Sequence, residues 1–189
     1  MIVSGVENLE LGRCFEQATT RIILSAPPYA PFGHNRTIRH ALFTALAQTG
    51  DLSLTALDLP GTDASWIEEM RVLLRPQMDL ATMQDEIIAS HFFLAELYKN
   101  FPQQVHRFCL QTKPCFPFLI IDDQIMFGHF AHARVPTPHG FWGTIMAPVQ
   151  ELLDLVDSAP IPQQMSSRHL AASRIVSEYL YQLQHAVPI

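Results

Sequence analysis

Residues 114–142 read PCFPFLIIDDQIMFGHFAHARVPTPHGFW. The run Phe116 to Ile121 is apolar and stops at two carboxylates, Asp122 and Asp123. A second apolar segment, Gln124 to Phe130, follows at once. This pattern predicts two strands joined by a tight turn, a position that Asp suits. A run without polar alternation predicts a central strand covered on both faces. His129, His132, Arg134 and His139 then fall within eleven residues, so the second strand delivers imidazoles to one loop.

Working outward, Ile22-Ile23-Leu24 is a short buried strand that stops at Ser25, Ala26 and two prolines. The loop SAPPYAPFGH follows. Asn35 is a good N-cap, and Ile38, Ala41, Leu42, Ala45 and Leu46 repeat at helical spacing up to a stop at Gly50. Residues 52–59 form the next strand, which completes a β-α-β unit. Helices are expected over 64–74, 81–100, 148–156 and 167–184, strands over 105–111 and 140–145, and a short helix within 6–18. The fold class is α/β, a mixed central sheet flanked by helices with an amphipathic helix at the C-terminal end. Residues 1–160 read as one domain. Residues 161–189 read as a linker and a helix that packs on the domain or on a second subunit.

Composition sets bounds. Of the 189 residues 48% are hydrophobic, enough for a substantial core, and only 16% are charged, which argues against disorder. The net charge is −6 and only Lys99 and Lys113 are lysines, so no basic run is present to neutralise a phosphate backbone. Nucleic acid is therefore not an expected partner. The low charge points to a homodimer that covers apolar surface. Three cysteines without paired spacing fit a reducing compartment. No run approaches eighteen apolar residues, and the first residues lack a secretory pattern. The chain reads as a soluble cytoplasmic protein with no membrane partner.

Each candidate residue has a functional and a plainer reading. Asp122 and Asp123 serve as base, ligand or histidine orienter if the sheet is parallel, because ligands bind beyond carboxyl ends; otherwise they are turn residues. His129, His132 and His139 lack the spacing of compact zinc motifs, so no metal and no cofactor is expected. Cys115 has no hydrolase signature around it and reads as a strand cysteine. Ser25, Tyr29, His34 and Arg36 form a second candidate group, stiffened by Pro27, Pro28 and Pro31 and ending at a helix N-terminus suited to anions. Trp142 and the aromatics near it line a pocket or fill the core.

The strand order, with an apolar strand ending in Asp and a short strand ending in Gly, resembles one repeat of the phospholipase D-like superfamily over roughly residues 20–145. The family signature is His-x-Lys-x4-Asp, followed by Gly-Ser or Gly-Thr and then Asn. With Asp122 as the acid, Cys115 stands where the histidine belongs and Pro117 where the lysine belongs. Gly128 comes one residue early, and His129 replaces the hydroxyl residue. The resemblance implies the fold and a pocket. It does not imply phosphodiester chemistry, since the nucleophilic histidine and the phosphate-binding lysine are missing.

Three functions follow. The first is a catalytically inactive domain that binds a small or anionic ligand, or regulates, through Ser25, Tyr29, His34, Arg36, Asp122, His129, His132, Arg134, His139 and Trp142. The second is a hydrolase that uses Asp122 with His129 or His132 as acid–base groups. The third is a structural dimer subunit whose aromatics are buried between chains.

Overall fold

Asp122 and Asp123 form the turn of a two-residue hairpin, in which Ile121 pairs with Gln124. Asp122 has φ 50°, a left-handed conformation that Asp tolerates better than most residues. A computed structural model describes residues 1–61, 64–74, 76–129, 135–158 and 165–189.

The strands are β1 (Ile2–Ser4), β2 (Arg21–Ser25), β3 (Ser53–Asp58), β4 (Val105–Cys109), β5 (Phe118–Ile121), β6 (Gln124–Gly128), β7 (Phe141–Met146) and β8 (Val187–Pro188). The helices are α1 (Leu11–Glu16), α2 (Ala30–His34), α3 (Arg36–Gln48), α4 (Ile67–Leu74), α5 (Leu80–Asn100), α6 (Val149–Ser158) and α7 (Ser167–His185). The strands form one mixed sheet in the order β1-β7-β6-β5-β2-β3-β4-β8. β2 runs parallel to β3, and β3 to β4. The other neighbours are antiparallel.

Alternation along each strand divides the core into two layers. Ile22, Leu24, Leu54, Ala56, Leu119 and Met126 face α1, α3 and α5. Ile23, Leu57, Phe118, Ile120 and Ile125 face α6 and α7. Every residue of β5 is buried, as expected for a central strand. It begins at Phe118 rather than Phe116, because Pro117 has no N–H to donate to a ladder. A satellite cluster of Leu59, Ile67, Met70, Leu74, Met83 and Ile87 joins α4 to α5.

The caps follow the sequence. Asn35 Oδ1 accepts from the amides of Thr37 and Ile38 at 3.0 and 3.1 Å, and Asp79 Oδ1 from Thr82 N at 2.7 Å. The edge strands β1 and β8 and the short helix α2 go beyond the sequence reading. Two- and three-residue strands carry too little pattern to register. In α2, Pro31 occupies the first turn, where its missing N–H costs nothing.

Candidate functional site

Strand direction decides which loops meet. The parallel strands β2 and β3 end at Ser25 and Asp58. β5 is antiparallel to β2, pairing Ser25 with Phe118 and Ile22 with Ile121. The carboxyl end of β5 therefore lies over the amino ends of β2 and β3. Asp122 sits there, away from the Ser25–Arg36 loop. Its Oδ2 accepts from Thr19 N at 2.9 Å and Thr19 Oγ1 at 3.1 Å, and its Oδ1 from Thr20 N at 2.8 Å and Arg21 N at 3.0 Å. Burial pushes this carboxyl up, but the hydrogen bonds from Arg21, Thr19 and Thr20 outweigh it and hold it below the usual range. Asp123 Oδ1 accepts from Val149 N at 3.0 Å and so supports the start of α6.

Asp122 and His129 stand at opposite ends of β6, and the span from Gln124 to His129 is about 17 Å at ~3.4 Å per residue. They cannot share a proton, so the Asp122–His129 pairing expected for a hydrolase does not form. The sequence reading applied the carboxyl-end rule to a strand that runs against its neighbours. His132 and Arg134 lie outside the described residues.

At the carboxyl end of β2 the 26–32 segment does meet the 137–142 segment. Between them lies a narrow cleft lined by Ala26, Pro27, Pro28, Pro31, Phe32, Pro117, Thr137, Pro138 and Trp142, together with Val6 and Leu74. Its cavity volume is about 50 Å³. The walls are apolar and short, and proline rings give them fixed shape. Trp142 is only 3% exposed, and its indole Nε1 is buried with no acceptor among the described residues. Gly128 flanks this wall: a Cβ there would meet the Trp142 ring at 3.1 Å and Pro117 Cγ at 3.3 Å.

The remaining candidates separate. Ser25 is fully buried and donates to Gln182 Oε1 at 2.7 Å, which ties β2 to α7. Tyr29 is also buried; its hydroxyl donates to the Leu57 carbonyl at 2.7 Å and accepts from Ala26 N at 3.1 Å, so it braces the cleft from behind. His34 and Arg36 are exposed around the start of α3. His129 is exposed and stacks on Phe141, with ring centroids 4.2 Å apart, and His139 is exposed as well. Cys115 is exposed, and burial together with the Glu178 carboxylate raises its thiol, against the demands of a nucleophile. Among the described residues no three His, Cys, Asp or Glu side chains gather as metal ligands, and no helix is long and apolar enough to cross a membrane.

The sequence reading missed a buried polar cluster at the end of β3. Asp58 is fully buried. Its Oδ1 accepts from Ser90 Oγ at 3.0 Å and Leu59 N at 2.9 Å, while Ser90 Oγ accepts from Tyr29 N at 2.9 Å. His91 Nε2 lies 3.0 Å from the Leu59 carbonyl, which can only accept, so this nitrogen carries the proton. Burial pushes the Asp58 carboxyl up to about 6, opposed by His91, by the Ser90 and Leu59 hydrogen bonds and by Arg107. The available signal was weak. Asp58 looks like a strand-end turn residue, and Ser90-His91 sits inside a long helix pattern.

No known family matches the chain, and no curated protein does. Solved structures do. TrmBL2, an archaeal chromatin protein that shows a novel mode of DNA binding, is similar over 100% of this chain and 52% of its own, at 11% identity and a TM-score of 0.53. Phosphatidylserine synthase of Haemophilus influenzae Rd KW20 is similar over 100% of this chain and 39% of its own, at 12% identity and a TM-score of 0.54. The chain thus spans about half the length of the first and less of the second. These identities establish a shared fold alone. The likeness to the synthase is thus a distant structural one, of fold only. The exclusion of nucleic acid is corrected: this fold occurs in a DNA-binding chromatin protein, and a missing basic run does not rule that partner out.

Proposed function

We propose that this chain is a catalytically inactive phospholipase D-like domain that binds a small ligand in the cleft between residues 26–32 and 137–142, in a binding or regulatory role. The observation that carries the reading is the cleft itself, an apolar, proline-walled space at the carboxyl end of a parallel strand, where α/β sheets bind ligands. Pro117, in the place of the motif lysine, forms part of its wall. Cys115, in the place of the histidine, is not activated. The ligand class is a slim apolar group, fitted to the narrow apolar walls.

The test combines thermal shift with Trp142 fluorescence in a Trp66→Phe background. Short alkyl and aryl ketones and carboxylic amides serve as probes. A binder raises the melting temperature by mass action and shifts the Trp142 emission with saturation. Ala26→Leu fills the cleft and should abolish both responses. If no probe gives a saturable response, or if Ala26→Leu leaves it intact, the cleft is not the binding site.

A further inference from the structure

A second recess lies at the opposite end of β2, on the face covered by α6 and α7. Alternation puts Arg21 on the same face as Ile23, and the parallel register sets Arg21 beside Ser53 and Ile23 beside Thr55. Strands of a parallel pair are usually apolar on both faces, because helices cover them. Here the floor over the amino ends carries a guanidinium and two hydroxyls, all half-buried. Gln150 and Leu153 of α6 and Tyr179 of α7 form the walls. The helices leave a cavity of about 250 Å³ above this floor.

Arg21 has an unusual set of partners. Its Nη2 donates to Gln150 Oε1 at 2.7 Å, and its Nε is buried without an acceptor among the described residues. No carboxylate pairs with it among the described residues. The Nε–Nη2 edge of a guanidinium matches two oxygens of one anion, as in bidentate carboxylate or phosphate recognition. A neutral amide oxygen now holds half of that edge. Gln150 is aimed there because its Nε2 donates to Asp154 Oδ1 at 2.8 Å. The Asp122 carboxylate, which accepts from the Thr20 and Arg21 amides, has its charge taken up by Thr19, Thr20 and the Arg21 backbone. Burial raises the Tyr179 hydroxyl, while Thr55 and Arg21 draw it down, so the guanidinium acts across the recess.

We propose that the recess formed by Arg21, Ser53, Thr55, Gln150 and Tyr179 is a binding site for a small oxyanion, a carboxylate or phosphate group held on the Arg21 edge with hydroxyl donors around it. Gln150 is the placeholder that such an anion displaces. The site is independent of the apolar cleft, which lies at the other end of β2.

The experiment follows the Arg21 Nε–H resonance of 15N-labelled protein during separate titrations with inorganic phosphate and with acetate, at constant ionic strength set by chloride. A saturable shift in either titration is expected, and the anion that produces it identifies the source of the oxyanion. Thr55→Val and Tyr179→Phe should each weaken binding several-fold, and Arg21→Lys, followed on the backbone amide resonances of Thr20 and Thr55 because it has no guanidinium, by about tenfold or more, since an ammonium lacks the paired edge. Arg13→Gln, at an exposed arginine, should change nothing. If Arg21→Lys fails to fold, the Thr55 and Tyr179 variants decide. Shifts that grow linearly for both anions, or saturable shifts that Thr55→Val and Tyr179→Phe do not weaken, would overturn the proposal.

Discussion

The Oδ2 oxygen of Asp58 lies 3.5 Å from Nε2 of His91, yet it accepts no hydrogen bond from the described residues. The imidazole proton goes to the Leu59 carbonyl instead. A fully buried carboxylate oxygen is thus left to the field of His91 and Arg107 alone, which explains why burial dominates and raises the group to about 6.

Because the folded pKa lies above the unfolded value of 3.8, the Asp58 contribution is fully present below about pH 4 and is lost as pH rises through about 6. A shift of about two units carries on the order of 3 kcal/mol at about 1.36 kcal/mol per unit. Denaturant unfolding between about pH 4 and about pH 8 should show wild-type stability falling relative to Asp58→Asn across that window. Parallel curves for the two proteins would refute it.

Asp122→Asn should cost about 1.5–3 kcal/mol, the scale of charge-assisted hydrogen bonds, because an amide nitrogen cannot accept from Thr19 or from Thr20 and Arg21. Asn tolerates the left-handed turn, so backbone strain does not confound the result. The carboxyl is held below its ordinary range, so its contribution is present at neutral pH and disappears as pH falls through that lowered pKa. Urea unfolding at neutral pH and in acid checks both statements.

Tyr29→Phe removes the donor to the Leu57 carbonyl and the acceptor for Ala26 N. Leaving buried backbone groups unsatisfied costs about 1–3 kcal/mol. The 26–32 segment forms one side of the cleft, so hydrogen exchange should speed up there more than in β5. Uniform exchange across the two segments would show that Tyr29 does not brace the cleft.

Gly128→Ala puts a methyl group against the Trp142 ring and Pro117. The indole must give by a few tenths of an ångström, at a cost of about 1–3 kcal/mol if the wall is tight. Trp142 emission in the Trp66→Phe background should shift with the substitution. An unchanged spectrum would mean the wall yields elsewhere.

Purified protein should not turn over a generic phosphodiester. The reaction needs an imidazole to attack phosphorus and a cation to stabilise the developing charge, and Cys115 and Pro117 hold those places. Turnover lost in His129→Ala would reverse the inactive reading.

Local pattern in the chain determined the α/β class, β5 as a fully buried strand, the Asp122-Asp123 turn, and the Asn35 start of α3. Each rests on periodicity or turn chemistry within a few residues, which is why it is legible from residues alone. Tertiary structure decided which loops meet. One reversal, β5 running against β2, carries Asp122 to the far end of the sheet and brings Pro117 and Trp142 to the cleft instead. Pairing direction depends on contacts a hundred residues apart in sequence, such as Ile22 with Ile121, and no local pattern encodes it. The Asp58–His91 cluster and the Arg21 recess were hidden for the same reason. Their members come from separate strands and helices, and each residue alone has an ordinary explanation. Only packing removes water from Asp58 and leaves Arg21 Nε without an acceptor among the described residues.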